Sequence, residues 1–267
     1  MTHTPPSVTE APVASHRQTN ARILPLLAPF IEAGRRILDL GSGAGYMTQK
    51  VAALLRDKQI DPGRHLLAMD LFGESYRCEG VPFQQADLNE RLPLEADTFD
   101  AIYSIEVIEH LRRPYDFLAE CHRVLKPGGL LVFSTPNTLH ALSRLKQLFS
   151  GFSDLYVPPS IKPENGGRLC GHIMPLPYAY HVYGLRRAGF THIEFVPDRI
   201  KRGAMAFAIL LFPFFKLTSL LHQRRVRRYG ADVYAENAAA LETTNSFAML
   251  SSRSCIITAR KEKPHVA

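Results

Sequence analysis

The stretch Arg36-Ile37-Leu38-Asp39-Leu40-Gly41-Ser42-Gly43-Ala44-Gly45 constrains the fold more than any other part of the chain. Its first half is a short apolar run with little polar face, as expected of a parallel strand covered on both sides. The glycines that follow let the backbone turn sharply and let a ligand approach it closely. Tyr46 to Arg56 then resumes apolar residues at helical spacing. Strand, glycine turn and helix in that order open a βαβ unit, and the free N–H groups at the helix start suit a flat or polar ligand.

The same alternation continues. His65 to Met69 reads as a strand ending at Asp70, Val81 to Ala86 as a weaker one ending at Asp87, and Phe99 to Ser104 as a fourth. A helix is predicted over Tyr115 to Leu125, a turn at Lys126-Pro127-Gly128-Gly129 and a fifth strand over Leu130 to Ser134. Pro177 to Ala188 reads as a helix, Phe190 to Val196 as a sixth strand and Ser254 to Ala259 as a seventh. Such spacing predicts a parallel, doubly wound α/β sheet. Ala21 to Ala33 forms a lead-in helix, with Pro25 and Pro29 as interruptions. With 267 residues, 46% of them hydrophobic, the chain can bury a full core. Residues 1–16 hold Pro5, Pro6 and Pro12 among small polar residues and are expected to be a disordered tail, with one domain over 17–267. Ser150 to His172, rich in Pro and Gly, reads as an active-site loop, and 199–250 as a helical insertion before the last strand.

Three ligand types compete for the glycine loop. A phosphate-binding P-loop needs Gly-Lys-Ser/Thr, which is absent. A dinucleotide fingerprint needs a glycine at 46, where this chain has Tyr. The remaining pattern, D-x-G-x-G-x-G, resembles the first motif of class I S-adenosylmethionine-dependent methyltransferases. Asp70 and Asp87, ending strands two and three, match that family's pattern. They extend the resemblance over about Ala21 to Phe195, together with the run Phe99 to Leu111, Arg123 to Gly129 and Ser134-Thr135-Pro136-Asn137. The resemblance implies a seven-stranded Rossmann-like sheet. It also implies that Asp39, Gly41, Ser42, Gly43, Gly45, Asp70, Leu71, Asp87, Leu88 and Ser104 hold the cofactor, with Asp70 on the ribose hydroxyls and Asp87 on the adenine amino group.

Glu106, Glu109 and His110 stand at i, i+3 and i+4, which puts them on one face if the segment is helical. Two carboxylates and an imidazole suit Mg²⁺, Mn²⁺ or Zn²⁺, with His172 as a fourth ligand. The resemblance to quinone-pathway and small-RNA methyltransferases, which carry a metal at E-x-x-E-H, points the same way. His110 as a general base and His110 held by a backbone carbonyl stay open beside it. Asn137 and His140 either line the acceptor pocket or cap the chain.

Net charge is +7, but eight basic residues and no acidic one lie between Arg199 and Arg228. The basicity is therefore local. Ala204 to Phe215 is uncharged and spans roughly 18 Å at about 1.5 Å per residue, too short to cross a bilayer, and Pro213 would kink it. Apolar bulk flanked by cations suits peripheral contact with a membrane through 199–228, or docking over the protein's own pocket. Nucleic acid is disfavoured, since no aromatic platform accompanies the arginines. Cys78, Cys121, Cys170 and Cys255 are widely spaced and expected as buried free thiols. The start lacks a signal-peptide pattern, so a cytosolic protein, peripheral at the inner face of a membrane, is expected. The missing Asn/Asp-Pro-Pro-Tyr element of amino-group methylases favours an oxygen acceptor: a sugar hydroxyl of a glycan or lipid-linked precursor, a quinone-precursor phenol, or an RNA ribose hydroxyl. A catalytically silent cofactor-binding scaffold is the rival class.

Overall fold

The structure, a computed structural model, describes residues 10–13, 15–162 and 171–263. Seven strands form one sheet: β1 (Ile37–Leu40), β2 (Leu66–Asp70), β3 (Phe83–Gln85), β4 (Phe99–Ile105), β5 (Leu125–Pro136), β6 (Phe190–Pro197) and β7 (Ser254–Lys261). Their order is β3-β2-β1-β4-β5-β7-β6. The chain leaves β1 toward β2 and β3 on one side and returns to β4 on the other, so a crevice opens at the carboxyl ends of β1 and β4.

The sheet is mixed rather than wholly parallel as expected. β7 runs antiparallel to both β5 and β6, with Phe133 opposite Ile257 and Phe195 opposite the same residue from the other side. The reversal has a functional effect: it brings the start of β7 to the edge where the parallel strands end. Lys126 to Gly129 is not a turn between elements but an irregularity inside β5. The register with β4 jumps there, from Phe99 opposite Leu125 to Ala101 opposite Leu130, and Gly128 takes φ +82°.

Alternate strand residues feed opposite layers. Leu38, Leu40, Ile102, Leu131 and Phe133 enter one buried cluster; Ile37, Ala101, Tyr103, Leu130 and Val132 enter the other. On one face lie α4 (Pro114–Val124) and α6 (Tyr178–Arg187); on the other lie α1 (Arg17–Leu27) and α2 (Tyr46–Asp57). The short α3 (Pro62–His65) leads into β2, with Asp61 accepting the Gly63 N–H as its cap. The lead-in helix starts earlier than expected. Pro25 is accommodated inside it, and Pro29 falls in a following 3₁₀ turn, Ala28–Phe30.

After β5 come α5 (Ala141–Ser150) and, in the insertion, α7 (Arg202–Tyr229), α8 (Ala231–Thr244) and α9 (Phe247–Ser251). α7 corrects the reading of a short, kinked apolar run. It continues through Pro213 for 28 residues, about 42 Å, and is long and apolar enough to cross a membrane by length and composition alone. Cys78, Cys121 and Cys255 are buried free thiols as expected; Cys170 lies outside the described residues.

Candidate active site

A cavity of about 880 Å³ opens at the carboxyl edge of the sheet. Its first half is built by the tips of β1 to β3. Gly41 has φ +80°, and a Cβ there would stand 2.2 Å from Val107 Cγ2, so only glycine lets the loop pass beneath the segment after β4. Gly41, Ser42, Gly43 and Ala44 line the cavity, as do Asp70, Leu71, Asp87 and Leu88. Asp70 is held in place by two backbone donors: Gly43 N–H at 2.8 Å to Oδ2 and Phe72 N–H at 3.0 Å to Oδ1. Asp87 accepts from the backbone and side-chain N–H groups of Asn89, and the backbone bond chiefly holds its carboxyl below the usual range.

Asp39 also borders the cavity, but its Oδ2 accepts from Thr48 Oγ1 at 2.6 Å and Tyr103 OH at 2.8 Å. Burial pushes its pKa up to about 7. It braces β1 against α2 and β4 as much as it faces ligand. Two expected cofactor residues are not in the wall. Ser104 is buried and donates to the Leu40 carbonyl at 2.8 Å, tying β4 to β1. Gly45 is the left-handed residue capping α2, where a Cβ would press on Cys78 and Tyr76.

The second half of the cavity lies past β4. Glu106, Glu109 and His110 do not share a helical face, because Glu106 sits at φ +54° and the 3₁₀ turn begins only at Ile108. The left-handed residue swings the Glu106 carboxylate away, to accept from Ser134 Oγ at 3.1 Å. Burial pushes it up to about 7. Strained conformations of this kind persist where surrounding structure fixes them, commonly at functional sites. Glu106 therefore leaves the expected metal set while still lining the cavity.

Glu109, His110 and His172 do come together, with ligand-type atoms all within 4.8 Å of one another. The backbone explains the meeting: the Glu109 carbonyl accepts both Ile173 N–H at 3.0 Å and Met174 N–H at 3.1 Å. His110 Nδ1 faces the Gly171 carbonyl at 3.1 Å, and His172 Nδ1 faces the Leu155 carbonyl at 2.9 Å. A carbonyl can only accept, so each ring carries its proton on Nδ1 and keeps a lone pair on Nε2. Burial lowers both imidazole pKa values, and His110 lowers that of His172 further. Neutral rings with Nδ1–H pinned by carbonyls are what a metal ligand or a general base requires. The donor set thus fits a divalent ion, with three ligands rather than four.

Several wall residues were not anticipated. Pro12, Val13, Ser15 and His16 line the cavity, Ala11 is buried, and its N–H donates to Gln49 Oε1 at 2.9 Å. The described part of the expected tail is thus packed over the site. Arg199, past the end of β6, and Arg253 and Ser254, at the start of β7, also line it. Asn137 and His140 do not. Asn137 donates to the Met249 and Ser252 carbonyls, and His140 caps α5 by accepting the Ser143 N–H.

The family described as "Methyltransferase domain" matches residues 38–133, the part that carries the cofactor loop and the segment after β4. Curated relatives include a ubiquinone biosynthesis O-methyltransferase of Nitrosococcus oceani, 34% identical over 106 residues. That match covers 39% of this chain and 45% of the relative. Another of the same name, from Caulobacter vibrioides, is 31% identical over 146 residues, covering 51% of this chain and 57% of the relative. The matched stretch spans about half the length of these relatives. Among solved structures, a SAM-dependent methyltransferase from Archaeoglobus fulgidus superposes with a TM-score of 0.55 at 19% identity, covering 91% of this chain and 93% of that one. The strand order and the acids closing β2 and β3 agree with this match: over residues 38–133 the chain is similar to the methyltransferase domain, and its fold is that of the class I S-adenosylmethionine-dependent methyltransferases.

Proposed function

We propose that the chain transfers the methyl group of S-adenosylmethionine to a hydroxyl oxygen. The observation that carries this reading is one continuous cavity, with the glycine loop and Asp70 at one end and His110 and His172 at the other. A sulfonium methyl is already activated, so the protein must align the nucleophile and take up its proton. The hydroxyl oxygen attacks the methyl carbon, the carbon–sulfur bond breaks to leave S-adenosylhomocysteine, and the hydroxyl proton passes to His110 Nε2. Where instead a divalent ion is held by Glu109, His110 and His172, His110 Nε2 would be a ligand and not the base; the ion would supply Lewis acidity that lowers the pKa of the acceptor hydroxyl, and the proton would leave to water.

β4 ends in Ser104-Ile105 and leads into Glu106-Val107, without the polar-Pro-Pro-aromatic element that suits an amino group. The names of the relatives favour a phenolic hydroxyl of a quinone precursor over the sugar or lipid-linked hydroxyl also expected from sequence. The test is turnover with S-adenosylmethionine against phenolic, glycolipid and RNA fractions, with mass spectrometry locating the added methyl. Methyl on the oxygen of a phenol supports the reading; methyl on nitrogen, or no S-adenosylhomocysteine released with any fraction, overturns it.

A further inference from the structure

α7 is predominantly apolar over residues 204–221, with exposed Lys216 the one charged residue there, yet only one stripe of it is covered. Ala204, Ala208 and Ser219 face inward, against α5, α8 and α9, and Phe212 and Phe215 pack beside Ala141 and Leu250. The opposite face carries Ile209, Leu210, Phe214, Leu217, Leu220 and Leu221, each more than half exposed. An apolar strip of this length on a helix surface marks an interaction site. α5, on which α7 packs, adds Leu148 and Phe149, exposed by 74% and 83%.

The charges on α7 select the occupant. Its first end carries Lys201 and Arg202, and its last turns carry Arg224, Arg225, Arg227 and Arg228, with no acidic residue between. Pairing of α7 with a second copy would set basic end against basic end, whether the helices ran parallel or antiparallel. An anionic surface faces no such repulsion and attracts both ends. A span through the bilayer conflicts with the covered stripe and with topology. β6 and β7, which bracket the insertion, are hydrogen-bonded neighbours in one sheet, so a crossing by α7 would need a second crossing back, for which α8, with 14 residues or about 21 Å, is too short.

We propose that the exposed face of α7 docks into the headgroup region of an anionic lipid bilayer, lying in its plane. The docked helix starts at the rim of the active site, since Arg199 lines the cavity and α7 begins three residues later. The inference does not depend on which hydroxyl is methylated, because it is read as binding without turnover.

Flotation with phosphatidylcholine vesicles and with mixed phosphatidylcholine–phosphatidylglycerol vesicles tests it. The protein is expected to float with the mixed vesicles and to stay behind with the neutral ones. Leu210→Asp with Phe214→Asp is expected to abolish flotation. Arg224→Gln with Arg225→Gln is expected to lower affinity for the mixed vesicles by at least about tenfold. Unchanged S-adenosylmethionine binding reports that each variant is folded, and the arginine pair keeps the test decisive if the apolar pair does not fold. Equal recovery with both vesicle types, or with neither, overturns the proposal. So does a lipid-free dimer, seen by light scattering, that Leu210→Asp dissociates.

Discussion

Nε2 of His172 stands 4.0 Å from Oε1 of Glu109, and its ring centroid 4.8 Å from that of His110. The three groups come from a 3₁₀ turn after β4 and from the end of the 150–172 loop. They meet because Ile173 and Met174 hydrogen-bond to the Glu109 carbonyl. Each imidazole has its Nδ1–H committed to a carbonyl, which removes the rotational freedom a free ring would have to lose on binding.

From this relationship, His172→Ala and Glu109→Gln are each expected to weaken Mn²⁺ or Zn²⁺ binding by at least about tenfold in calorimetry. Chelation is expected to slow turnover with them. Should chelation and both variants leave rate and ion binding unchanged, no ion serves the reaction. The full burden then falls on His110, whose replacement by Ala is expected to cost about 10²- to 10⁴-fold in kcat.

Two backbone N–H groups fix the Asp70 carboxylate on the cavity wall, where the proposed function has it accept from the cofactor's ribose. Asp70→Ala removes the ribose acceptor and leaves the Gly43 N–H without this partner. Loss of roughly 1–3 kcal/mol, or about 5- to 150-fold in affinity, is expected for S-adenosylhomocysteine measured by calorimetry. Equal affinity in the variant would remove Asp70 from the cofactor site.

Asp39 makes stability depend on pH in a defined direction. Its folded pKa, about 7, lies above the ordinary value of 3.8. Between about pH 4 and 7 the folded protein keeps a proton that the unfolded chain has released. The stabilisation is therefore complete below pH 4 and lost as pH rises through 7, by at most about 4 kcal/mol. Asp39→Asn keeps an oxygen for Thr48 and Tyr103 but cannot ionise. Its melting temperature is expected to vary less than that of the parent between pH 4 and 7 and to exceed it at pH 8. Parallel profiles for the two proteins would contradict this assignment.

The placement of the glycine loop and of the two acids on the cavity wall was legible in sequence because it is local. A glycine loop after one strand, and single acids closing the next two, read out in order along the chain, and Asp70 and Asp87 stand where that order puts them. Ser104 and Gly45 failed for a different reason: their neighbours in space, Leu40 and Tyr76, decide their roles. Glu106 failed because one left-handed residue broke a helical spacing that looked regular. Arg253 had no signal at all, since only the antiparallel insertion of β7 brings its start to the carboxyl edge, while Arg199, read only as part of a basic segment, reaches that edge because β6 runs antiparallel to β7 and ends there. The length of α7 was missed by giving Pro213 more weight than the apolar and basic residues on either side of it.

Asp154 is the remaining piece that sequence did not single out, and it ties together the elements beside His172 and Arg253 in the cavity wall. Its buried carboxylate meets His140 Nε2 and Arg253 Nη1 at 3.3 Å each, and also pairs with Lys146 and Lys201. α5, the lead into α7 and the start of β7 thus converge on one residue, whose neighbour Leu155 lines the cavity and orients His172 by accepting its Nδ1–H on the Leu155 carbonyl. Hydrogen bonding to His140, then to the lysines, holds the carboxyl well below the usual carboxylate range. With the folded pKa depressed, its contribution is present above about pH 4 and is lost as pH falls further. Asp154→Asn leaves the surrounding cations without their counter-charge and is expected to cost ~3 kcal/mol at pH 7, toward the low end for such pairs because Lys146 stays half exposed. Urea midpoints at pH 7 and pH 3 give the check: the gap between parent and variant should narrow in acid. A gap of equal size at both pH values would mean that the carboxylate's charge does not hold these elements together. An unchanged acceptor KM would separate the loop's position from Asp154 altogether.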